Sequence, residues 1–229
     1  MLLRRAVMVV VVGAVLLLGI SGVAWGLSLP STPGKFFLDV TPGGPYSEAV
    51  DALAEVGVVD GYGDGKFGLM NLVLRQQFTK MMAKTLDLSA PDLPMPFVDV
   101  EEGLSETDPM YPSGYVAMCW AAGITKGKDA THFAPYENMT RHQLVTMAVR
   151  SVQSRLKAPP EDWTGTFPSD DPIHGANVRL AEYNGLLDDV TFGRLTTPPC
   201  YWLGLGVSAS RGECAGVLYN VWTLLAASE

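Results

Sequence analysis

Basic residues are scarce in this chain, and histidine and cysteine are scarcer. Its 229 residues hold 16 Lys and Arg against 24 Asp and Glu, with three His and three Cys. Without Arg4 and Arg5 at the amino terminus, 14 bases face 24 acids, a charge near −10. Lys and Arg form no run beyond that point, so the basic stripe that a phosphate backbone requires is missing and nucleic-acid binding is excluded. Cys119, Cys200 and Cys214 show no CxxC spacing, and an odd count argues against a zinc site and against a disulfide framework. A Cys200–Cys214 bridge and three small buried hydrophobes both remain compatible with that pattern. His132 and His142 stand ten residues apart with Glu137 between them, and His174 is remote, which matches no zinc spacing. No metal and no cofactor is expected.

What is present begins with a leader. Arg4 and Arg5 precede an apolar run, and small residues follow at Ser21, Gly22, Ala24 and Gly26, the pattern of an export signal over 1–26. Cleavage after Ala24 or Gly26 fits. So does retention as a membrane tether, because 6–27 is 22 uncharged residues, enough to span a bilayer core of ~30 Å. Either way the chain is expected to be exported.

The rest repeats. FLDV at Phe37–Val40 returns as FVDV at Phe97–Val100, and LRQQF at Leu74–Phe78 returns as TRHQL at Thr140–Leu144 and SRGEC at Ser210–Cys214. Gly57 to Gly123 and Arg75 to Arg141 are both 66 residues, and Arg141 to Arg211 is 70. Three units follow, over 36–90, 95–157 and a divergent 163–227, each reading as helix, glycine turn, short extended piece and second helix. Ala49, Val50, Leu53 and Val56 share one face of the first helix, with Ser47 placed to cap it and Gly57 to end it in a left-handed residue. The stretch DGYGDGKF (Asp60–Phe67) reads as a turn and not as a calcium loop. Counting from Asp60, Tyr62 and Asn71 fall where oxygen ligands are required, and the second copy, TKGKDATHF, has one acid and two lysines.

The second helices open alike. Thr140–Gln143 and Ser210–Glu213 have capping-box spacing, a hydroxyl followed three residues on by Gln or Glu, while Leu74–Gln77 keeps the spacing without the hydroxyl. The next residue is Arg75, Arg141 or Arg211, a cation at the positive end of a helix, unfavourable by ~0.3–1 kcal/mol. Each therefore wants an anion. Asp39 and Asp99 are the internal candidates, for Arg75 and Arg141; an external carboxylate or phosphate is the other.

FxDV, a helix ending in G-[VI]-x-x-G, the aromatic–Pro segment His132–Pro135 and T-R-x-[EQ] together resemble surface-layer homology (SLH) repeats from about Phe36 to Leu225. The third copy matches weakly at Phe167–Asp171 and well at its second helix. The resemblance implies a mainly α fold, three helix–loop–helix repeats in a pseudo-threefold arrangement around a central helical bundle. It implies a non-catalytic envelope module that binds a secondary cell-wall polysaccharide, often pyruvylated, in grooves between repeats. It carries ligand contact onto Arg75, Arg141 and Arg211, with Gly61, Tyr62 and Gly127 beside them, and Asp39 and Asp99 are counted among the ligand-binding residues. The alternative is a structural or assembly protein whose repeats contact another envelope protein.

Enzyme readings fare worse. Gly206–Ser210 ends in Ser where a nucleophile elbow needs Gly, and Ser210 suits a helix cap. Glu101, Glu102, Glu106 and Asp108 read as a solvated acidic loop, since nothing apolar surrounds them to raise one pKa. Trp163 and Trp202 are candidates for stacking on a sugar, and His142 for facing it.

Overall fold

The computed structural model describes residues 36–89, 93–192 and 206–227. The expected leader and tether, Cys200 and Trp202 lie outside them. Six α-helices are described: α1 (Ser47–Glu55), α2 (Arg75–Thr85), α3 (Ser113–Ala121), α4 (Arg141–Ser151), α5 (Gly175–Tyr183) and α6 (Arg211–Ala226), with a short 3-10 turn at Gln153–Arg155. The described residues form no strand, only isolated bridges, so the fold is mainly α as expected. None of these helices is long and apolar enough to cross a membrane.

Local chemistry explains where the helices begin and end. Thr140 Oγ1 accepts from Gln143 N at 3.2 Å and Ser210 Oγ from Glu213 N at 3.3 Å, while Gln143 and Glu213 return bonds to the N–H of Thr140 and Ser210. In α2 only the returning half survives, Leu74 N–H to Gln77 Oε1 at 2.9 Å, because Leu74 has no hydroxyl. Gly57, Gly123 and Gly185 follow the first helices with φ of 70°, 73° and 75°, the left-handed residue that stops each one. The cap expected of Ser47 is corrected. Tyr46, at φ 62°, occupies the cap position, and Ser47 is the first residue of the helix.

Packing interlocks the units instead of folding each on itself. α3 lies on α2, α5 on α4, and α1 on α6, while α6 also packs against both α2 and α4. Each first helix thus sits on the second helix of the unit before it, and α1 closes the series against the last. Tyr46 wedges in at that closure. Its ring lies where a Cβ on Gly212 or Gly216 would stand, and its hydroxyl meets Thr191 Oγ1 at 2.9 Å.

The strips leading into α2, α4 and α6 join in a ring. Val73 N–H donates to Ala209 O, Ala209 N–H to Met139 O and Met139 N–H to Val73 O, at 3.3, 2.7 and 2.8 Å. All three residues are fully buried. One residue pair further out, Arg75 N–H donates to Glu137 O, Arg141 N–H to Val207 O and Arg211 N–H to Asn71 O. The ring satisfies helix-start N–H groups that have no partner inside their own helices. Outside it, Phe37 packs on Phe67 and Phe97 on Phe133 with ring centroids 5.3 and 5.6 Å apart. Phe67 and Phe133 are fully buried, each contributing roughly 1.5–3 kcal/mol of apolar burial.

Cys119 and Cys214 are free, buried thiols that pack as small hydrophobes, while the Cys200 end of the Cys200–Cys214 alternative lies outside the described residues. Burial pushes the Cys119 thiol up to about 12 and raises that of Cys214 as well.

Candidate functional site

The DGYGDGKF stretch is the turn its sequence suggests. Tyr62 N–H donates to Lys66 O at 2.7 Å and Gly65 N–H to Tyr62 O at 3.1 Å, while Asp64 holds Lys66 N–H. The returning strand passes so close that a Cβ on Gly61 would meet the Phe37 ring and Lys66 O. Gly127 meets the same limit against the Phe97 ring and His132 O, with φ 75° in addition. Both glycines are thus set by the aromatic residue of the FxDV segment behind them.

Asp39 and Asp99 do not pair with Arg75 and Arg141. Asp39 accepts from Phe67 N–H and Gly68 N–H, both at 2.7 Å, and Asp99 from Phe133 N–H and Ala134 N–H, both at 2.8 Å. Burial opposes ionisation of each carboxyl, but these N–H bonds outweigh it and hold both below the usual carboxylate range. The acids tie the FxDV segment to the turn before the second helix. A tight turn presenting two adjacent N–H groups is a nearer and better-aligned partner than a guanidinium.

The three arginines share a pose and differ in their partners. Arg75 Nε donates to Phe133 O and Arg211 Nε to Phe67 O, each at 2.8 Å, with the guanidinium over that same phenylalanine ring at 4.7 and 4.5 Å. Arg141 instead donates from Nε and Nη2 to the two carboxylate oxygens of Glu213, at 3.0 and 2.6 Å. Both partners are almost wholly buried, 5% and 3% exposed. Burial lowers the Arg75 pKa, against the raising influence of Glu137 and Asp99. Arg211 is more accessible. Its Nη2 donates to Asp60 O at 2.6 Å, and its guanidinium also lies 5.0 Å from the Tyr62 ring centre.

Arg211, Gly61 and Tyr62 line one groove with Gln77, Lys80 and Tyr111, a cavity of about 320 Å³ to which all three repeating units contribute. Lys80 there is engaged, 2.8 Å from Asp108 and over the rings of Tyr111 and Tyr115. Burial, then the Asp108 charge, pushes the Tyr115 hydroxyl up to about 12. Among the described residues no carboxylate oxygen lies within 4 Å of the Arg211 guanidinium, although Asp60 lines the same groove. Two of its five N–H groups are used, leaving three for a ligand.

Two stretches of the chain, 36–79 and 104–145, match the model of the S-layer homology domain. Those two stretches are S-layer homology domains. Among curated proteins, it is 33% identical over 120 residues to an endoglucanase of Bacillus sp. (strain KSM-635), covering 51% of this chain and 12% of that protein. It is 28% identical over 137 residues to a surface layer protein of Brevibacillus choshinensis, 58% and 12% of the two chains. An S-layer protein of Bacillus licheniformis is 24% identical over 135 residues, 59% and 15%. The chain spans only 12–15% of the length of these relatives.

The groove gathers Arg211, Gly61 and Tyr62 but not Arg141, Arg75 or Gly127; Arg75 instead meets the turn that holds Gly127 and Phe133. His142 stacks on His174 at 5.2 Å, and His174 Nδ1 lies 2.7 Å from Thr146 Oγ1. Trp163 meets Tyr183 edge-on and Arg179. Gln77, Lys80 and Tyr111 were not among the expected contacts. Gln77 read as a cap residue, and no motif marked Lys80 or Tyr111.

Proposed function

We propose that this chain is a non-catalytic cell-envelope anchor in which three S-layer homology repeats, 36–90, 95–157 and 163–227, form a pseudo-threefold unit. It binds an anionic secondary cell-wall polysaccharide, a pyruvylated terminal sugar being the best fit. The observation that carries this reading is Arg211. A guanidinium with no carboxylate paired to it among the described residues, beside an exposed tyrosine ring in a groove of about 320 Å³, suits a sugar bearing a carboxylate. Arg211 and Tyr62 touch the ligand, Gly61 lets the turn approach it, and Asp39, Asp99 and Gly127 hold the turns. Arg75 is buried against Phe133, and Arg141 is structural. Relatives as different in name as an endoglucanase and two surface-layer proteins share a stretch of this size with the chain. A role common to both kinds, attachment to the cell surface or wall, accounts for that better than hydrolysis does.

The test is retention of the full chain on purified wall sacculi, before and after their secondary polymer is stripped, beside an Arg211→Ala variant shown to be folded. Retention should fall with the polymer and with the arginine. Retention indifferent to stripping, or none by folded protein, refutes the anchor and leaves an assembly protein that contacts other envelope proteins.

A further inference from the structure

Glu213 and Gln77 occupy the same place in the first turn of α6 and α2, three residues past the cap. Each holds the cap N–H, Glu213 that of Ser210 at 3.0 Å and Gln77 that of Leu74 at 2.9 Å. Glu213 does a second thing. It reaches across to the arginine of the preceding unit, Arg141, whose N–H also enters the strip before α6 at Val207 O. Round the ring, the arginine that enters the strip before α2 is Arg211, through Asn71 O, and the residue placed to face it is Gln77. Both line the groove.

We infer that Gln77 sets the charge of this groove: an amide at position 77, where α6 has a carboxylate, leaves Arg211 unneutralised and reserves it for an external anion. The inference rests on the anchor reading of the groove. With Glu213, Arg141 is satisfied inside the protein and its charge is not offered to a ligand. With Gln77, the amide Oε1 is spent on the Leu74 N–H, and its Nε2 has no acceptor among the described residues. That leaves a neutral donor beside a cation, a pair that donates to a carboxylate or phosphate oxygen, where a Glu at 77 would add an acid to the one Asp60 already contributes to the lining. The unit containing α4 carries Gln143 at the same place, facing the arginine Arg75, but Arg75 is only 5% exposed. Arg211 is the accessible member of the set.

Gln77→Glu tests this cleanly. A carboxylate at 77 can keep the Leu74 N–H bond, as Glu213 keeps that of Ser210, and an acid in the first turn favours a helix. The variant should therefore fold at least as well as the parent, which thermal unfolding checks. Retention of the full chain on sacculi that carry their secondary polymer should weaken by about tenfold or more, through loss of the Arg211 charge and repulsion of the ligand anion. The parent's affinity should fall as salt is raised. Equal retention of parent and variant overturns the role of Gln77 while the anchor stands. No retention of either folded protein overturns both.

Discussion

Glu213→Ala is the sharpest test of how the ring is held together. Glu213 accepts two hydrogen bonds from Arg141 and one from the Ser210 N–H, and both ionic partners are almost wholly buried, at 3% and 5% exposure. Removing the acid leaves a guanidinium out of water without its counter-charge and takes away half of the α6 capping box. Breaking one side of a buried pair costs about 3–5 kcal/mol. Against a total stability of roughly 5–15 kcal/mol, that is a large fraction. In a domain of this size it corresponds to a fall in Tm of about 6–20 °C. Chemical denaturation of the single variants Glu213→Ala and Arg141→Ala and of their double variant measures it. The singles should each lose several kcal/mol and the double much less than their sum, a coupling of about 1–3 kcal/mol. Replacing both partners with apolar residues, Arg141→Met with Glu213→Leu, should restore most of the loss, because no stranded charge remains. A Glu213→Ala protein within about 1 kcal/mol of the parent, or strictly additive losses, refutes the pair as the clamp between α4 and α6.

Gly127→Ala should cost about 2–4 kcal/mol, since the added methyl meets the Phe97 ring and two backbone carbonyls at a residue with φ 75°; denaturant titration reads it. Asp99→Asn should cost most near neutral pH. The folded Asp99 carboxyl lies below its usual value of 3.8, so the stability it adds is fully present above about pH 4 and drains away as pH falls through the folded value. The Tm gap between Asp99→Asn and the parent should therefore narrow on acidification below pH 4. A gap that holds constant down to pH 2 refutes the two N–H bonds as its source.

What the sequence revealed was local. Capping boxes at Thr140 and Ser210 and stop glycines at 57, 123 and 185 act over three or four residues, and each is where its spacing suggested. Ser47 failed as a cap because Tyr46 is pulled into a left-handed conformation while its ring wedges against α6, a contact more than 160 residues away in the chain. Asp39 and Asp99 were expected to face Arg75 and Arg141 and do not, because proximity in a motif cannot tell a guanidinium from two backbone N–H groups. The unequal arginines were readable only in part. Gln against Glu was visible at 77, 143 and 213, but which arginine each faces depends on the direction in which the units close, and no single unit contains that information.

That direction of closure bears on the order in which the fold can assemble. α1 is made first, yet the surface it covers belongs to α6, made last. Until then its buried face, Val50 and Leu53 among it, has nothing to cover, and neither Tyr46 nor the Val73–Ala209 bond can find its place. Contacts this distant in sequence form late. A chain stopped anywhere short of α6 is therefore not a smaller version of this protein with two working units. It is an open strip of helices with its first seam exposed, and completion of the last helix is the event that brings Arg211 to its groove.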